Sequence, residues 1–150
     1  MNTLSKTIIS GVAGTVLMTL YLKSKSTPRQ EFRPPVLLNK SIDKAPGLPE
    51  IDNQKANPAG WALHYLAGIG FVMADQFLGE KYLKRPTAKR MAVAGLINGM
   101  AGVLVWKNLF KLHPAPPKND RSEYFKHLFN AHLLFTGVSL ATYKFLSKLK

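Results

Sequence analysis

The chain is predicted to be all-α, an integral membrane bundle of four transmembrane helices, and three observations carry that prediction. The first is residues 56–74, which hold 19 positions without a charge. At about 1.5 Å per residue they reach roughly 28 Å, close to the hydrocarbon thickness of a bilayer. The second is that three more stretches of similar length and flanking chemistry follow the same pattern, at 7–22, 91–106 and 127–143. The third is the placing of Tyr21, Trp61, Tyr82, Trp106, Tyr124 and Tyr143 at or near the span ends, where an interfacial aromatic belt would sit. Helices are therefore expected over about 7–22, 59–79, 91–107 and 124–146, with a Pro-rich loop at 23–58. All of 1–150 forms one membrane domain.

Charge and composition narrow the function classes. The formal charge is +13, from 21 Lys+Arg against 8 Asp+Glu. In a soluble protein such a balance would point to nucleic acid. Here the basic residues lie outside the apolar spans, where they can meet lipid headgroups, and no basic stacking motif is visible, so no nucleic-acid partner is expected. Cysteine is absent, which excludes disulfides, thiolate metal sites and a cysteine nucleophile. Mean hydropathy is only −0.05. Residues 23–55 dilute it with seven Lys/Arg and four acids, but a small basic soluble bundle is the competing class. Against that alternative, none of the four stretches shows a charged solvent face.

Taken in order, residues 1–22 have the outline of a signal peptide, with Lys6 ahead of an apolar run. The run also carries Ser10, Gly14 and Met18 four apart and Gly11, Thr15 and Thr19 likewise, a helix-packing face that a cleaved leader would not need. A retained first helix is the favoured expectation. Residues 27–58 hold six prolines and no sustained period, so they should be extended or irregular. Within them, 33–38 is weighed as an apolar plug on the bundle against the more ordinary flexible linker. Asn57 and Pro58 open the second helix. The third carries Gly95, Gly99 and Gly102, close-packing positions, and Ser122 is the cap candidate of the fourth. Basic density favours both termini in the cytoplasm, although the raw Lys/Arg count points the other way.

Polar residues inside spans are the functional candidates: His64, Asp75, Asn98, Asn130 and His132. His64 and Asp75 share a face but stand about 16 Å apart along the axis. In an antiparallel bundle His64 and His132 fall at similar depth, where two imidazoles could hold a haem iron or another metal, or form a proton or quinone site. The ordinary alternative is that each histidine bonds a backbone carbonyl, Asn130 or Thr136 and holds helices together. Asp75 could reach the interface beside Lys81 or Lys84, and Asn98 should bond to a neighbouring helix. Nothing resembles a Ser/His/Asp arrangement, a phosphate-cradling loop or a usable carboxylate pair.

Gly11-x-x-Gly14-Thr15-x-x-Met18-Thr19, His64-x-x-x-Gly68 and His132-x-x-x-x-Gly137 together give the chain a loose resemblance to small bacterial four-helix inner-membrane families of unknown function. The resemblance implies a multi-pass protein of a bacterial-type cytoplasmic membrane and supplies no activity. The expected role is a non-enzymatic accessory or structural subunit, in contact with the lipid bilayer and joined to a second copy or to other membrane subunits through the small-residue faces Gly11, Gly14, Gly95, Gly99 and Gly102. The alternative is a haem- or quinone-linked redox or proton-handling protein using His64 and His132. A transporter using Asp75 and Asn98 is a third reading.

Overall fold

Long apolar runs without internal proline satisfy their own backbone only as helices, and the computed structural model is built of them. It describes residues 1–77, 83 and 85–149. The helices are α1 (Thr3–Lys25), α2 (Pro34–Asp43), α3 (Pro58–Phe77), α4 (Ala88–Leu112) and α5 (Arg121–Leu146). Among the described residues there is no strand. The expected helix end at 79, the aromatic Tyr82, and Lys81 and Lys84 beside Asp75 lie outside the described residues.

α1, α3, α4 and α5 run alternately up and down. α5 lies along both α1 and α4, α1 also packs on α3, and α2 packs on α3. The helices outrun the apolar spans because polar caps lie beyond them. Asn2 accepts from Ser5 N–H, Thr87 from Arg90 N–H and Asp120 from Glu123 N–H. Asp120 therefore caps the last helix, ahead of the expected Ser122. Asn57 Oδ1 accepts from Ala59 N–H at the start of α3.

The segment 23–58 is the main departure from expectation. Pro34 and Pro35 occupy the first turn of α2, where a missing N–H costs nothing, so prolines that read as breakers here start a helix. Val36 and Leu37 are fully buried, and Phe32 and Leu37 join Leu22, Phe110, Tyr124 and Leu128 in the largest apolar cluster. What holds this plug is a latch at Asn39. Its Nδ2 donates to Gln54 O (2.9 Å) and Asn57 O (2.8 Å), and its Oδ1 accepts from Gly60 N–H (2.7 Å). His113 Nε2 adds a tie from the end of α4 to Ser41 O at 2.8 Å.

The aromatic belt is also corrected. Trp106, Tyr124 and Tyr143 are buried inside the chain. Trp106 and Tyr124 meet edge-on at 5.4 Å, and Phe110 and Phe32 complete the stack beneath α2. Large rings fill the space between the helices at this end.

Glycine sets the helix separations. A Cβ at Gly11 would stand 2.7 Å from Ile69 Cα of α3, and one at Gly14 2.8 Å from Phe135 O of α5. On α4, Gly95 and Gly99 meet Leu133 and Phe129, and Gly102 meets the His132 ring. All five predicted packing glycines thus face other helices of the same chain. Replacing Gly11 with Ala should lower stability in detergent by about 1–3 kcal/mol because backbone must move, whereas Gly70→Ala, which meets nothing within 4 Å, should not lower the melting temperature and should raise it slightly through the better helix propensity of Ala.

Candidate functional site: a histidine-lined cavity and a buried polar bridge

The small-residue face of α1 sets Thr15, Met18 and Thr19 against α3. Thr15 and Thr19 return their hydroxyl protons to Gly11 O and Thr15 O, both at 2.7 Å, which satisfies them without leaving the helix. His64 Nε2 lies 2.9 Å from Thr19 Oγ1. If the Thr19 proton goes to Thr15 O, Thr19 Oγ1 accepts from His64 Nε2, and that tautomer leaves Nδ1 as an acceptor.

On α5, His132 Nδ1 donates to Leu128 O at 2.9 Å. The other ring edge lies over Gly102, whose missing side chain makes the space for it. Its Nε2 is therefore also left as a lone pair in the neutral ring. Phe71 and Phe135 pack against the same imidazole, with centroids 5.2 and 6.3 Å away.

Both histidines are more than nine-tenths buried, and both line one cavity of about 70 Å³ with Met18, Phe71, Gly102 and Trp106. It sits where α1, α3, α4 and α5 converge, under Pro34 of the plug. Water occupies about 30 Å³ in the liquid, so the space suits one or two small molecules or an ion. Pockets for drug-sized ligands run to roughly 300–1,000 Å³, so the space as it stands is small beside them. Among the described residues, no group of three or more His, Cys, Asp or Glu could share a metal.

A second buried polar group lies nearer the other end. Asn98 Nδ2 donates to Thr136 Oγ1 at 3.0 Å and to the Asp75 carboxylate oxygens at 3.3 and 3.4 Å. All three residues are buried, so one amide links α3, α4 and α5. Gln76 Nε2 donates to Thr7 Oγ1 and closes the ring of contacts to α1. Asn130, in contrast, is exposed on the outer face of α5. The helix turn that buries His132 points Asn130 away, and His132 takes the Leu128 carbonyl in its place.

The convergence of His64 and His132 was expected from antiparallel depth. Thr19 and Met18 were read only as packing residues, although their four-residue spacing put them on the face that meets α3. Among the described residues two helices, α1 and α4, are long and apolar enough to cross a membrane. No known protein family, curated protein or solved structure matches this chain.

Asn98→Ala should cost about 1–3 kcal/mol in detergent unfolding, because it strips a buried carboxyl and a buried hydroxyl of their donor. Combined with Thr136→Val, the loss should fall short of the sum of the two single losses by at least about 0.5 kcal/mol, since the two side chains share one bond. Additive losses would mean the bridge carries no energy.

Proposed function

We propose that the chain is a multi-pass protein of a bacterial-type cytoplasmic membrane, with all four long helices spanning and both termini cytoplasmic, acting as a non-enzymatic accessory or structural subunit. One observation carries this reading: the residues are sorted inside out. The buried set includes Thr7, Ser10, His64, Asp75, Asn98 and His132, while Ile8, Val12, Leu66, Leu96, Met100 and Leu104 face outward. Water would not favour that arrangement, and hydrocarbon does. On α3 and α5, His64, Asp75, His132, Thr136 and Ser139 are among the inward-facing residues, which supports counting these helices as spans alongside α1 and α4.

The packing glycines are consumed within the chain, so contacts with lipid, a second copy or other membrane subunits fall to the outward Leu, Ile and Val faces. With no native cysteine, single cysteines can report the topology. In intact cells an impermeant maleimide should label Leu48→Cys and Ala115→Cys but spare Asn2→Cys and Leu149→Cys. Release of the chain by alkaline carbonate, or labelling of all four positions alike, would overturn the reading.

The redox-linked alternative is supported by the meeting of His64 and His132 at one cavity and opposed by the volume of that cavity. Protein purified in mild detergent should show no Soret band, and His132→Ala should leave its spectrum unchanged while lowering its melting temperature. A stoichiometric chromophore lost in His132→Ala would favour the alternative.

A further inference from the structure

The end of the bundle away from both termini holds a cleft that the histidine cavity does not explain. Its volume is about 440 Å³, and five separate segments contribute cations to it. Lys23 comes from the last turn of α1, Arg29 and Arg33 from the following loop and Lys40 from α2. Lys55 comes from the approach to α3 and Lys118 from the approach to α5.

Glu31 is the one carboxylate in the lining, and it is fully engaged. Its Oε1 accepts from Arg33 Nε at 2.8 Å and from Arg33 N–H at 2.9 Å, and its Oε2 accepts from Arg33 Nη2 at 2.6 Å. Burial on its own would raise the Glu31 carboxyl, but these bonds and the Arg33 charge, with help from Ser26, hold it below its ordinary value. Glu31 therefore fixes the Arg33 guanidinium in the cleft and stays ionised. Among the described residues, Lys23, Arg29, Lys40, Lys55 and Lys118 make no ion pair.

The loop carrying these groups is ordered before any ligand arrives. Phe32 N–H donates to Ser26 Oγ at 2.9 Å, and Gln30 N–H to Thr27 Oγ1 at 3.1 Å. Five cations without counter-charge repel one another across a concavity, and an anion of more than one charge is what removes that repulsion. Lysines acting as point charges, with one oriented guanidinium, match phosphate oxygens.

We propose that this cleft is a binding site for a phosphate-bearing anion, either the headgroup of an anionic phospholipid or a small phosphorylated solute. The lipid source fits the place of the cleft, at the end of the apolar length of α1. The solute source fits its open side. This site is independent of the accessory-subunit reading, and its solute arm holds with or without a bilayer.

The test uses the full chain in zwitterionic detergent, titrated calorimetrically with pyrophosphate, and the same chain in nanodiscs of phosphatidylcholine with or without phosphatidylglycerol, with retained lipid measured by native mass spectrometry. The double variant Lys40→Gln, Lys55→Gln should weaken binding by about tenfold or more. Lys144→Gln, Lys148→Gln removes the same formal charge at the other end of α5 and should change binding by less than about twofold. Saturable pyrophosphate binding identifies a solute site, and retention of phosphatidylglycerol alone identifies a headgroup site. Absence of both, or equal weakening by the two double variants, would overturn the proposal.

Discussion

Several polar groups carried into the apolar helices find their partners inside the chain, and the bonds they make tie the helices together. Thr15 and Thr19 bond locally by turning back on their own helix. His64 Nε2 bonds to Thr19 Oγ1, which ties α3 to α1. Asn98 does the same across three helices. Each tie between helices needs close approach, and Gly11, Gly68 and Gly102 are where the backbones allow it. Polar groups and glycines form a single device: the glycines bring helices near enough for short side chains to reach, and the bonds make that separation the preferred one.

The two ends of the bundle are built differently. At the terminal end the helices are held by Gln76 with Thr7 and by a small cluster of Leu83, Ala94, Leu140 and Tyr143. At the other end they pack around aromatic rings, and α2 covers them. The histidine cavity lies just beneath that plug, with Pro34 in its wall. The cationic cleft lies on the outer side of the same segment, so one short helix separates a histidine-lined space from a charged surface.

Helix positions were legible in the sequence because length and apolarity alone decide them, and the meeting of His64 and His132 followed from alternating helix direction. α2 was not legible. Its prolines carry the local signal of a breaker, and the residue that fixes it, Asn39, acts on partners 15 to 21 positions away that no periodicity connects. The aromatic residues misled for a related reason. Position near a helix end says nothing about which way a ring turns, and Trp106 and Tyr124 turn inward to pack on Phe110 and on each other. Asn130 erred in the opposite sense, since only the rotation of α5 about its axis decides that His132 is inside and Asn130 outside. The cationic cleft draws on residues from 23 to 118 and exists only once the fold has brought them together.

The Asn39 latch also has a consequence for the order of events during synthesis. Its amide bonds carbonyls at Gln54 and Asn57 and an amide at Gly60, all of which leave the ribosome after it. Tyr124 and Leu128, which the plug covers, come later still. α1 can therefore be in place well before the segment that follows it has anything to close upon. The latch has all its partners once Gly60 has emerged, whereas the apolar face of the plug gains Tyr124 and Leu128 only when α5 arrives.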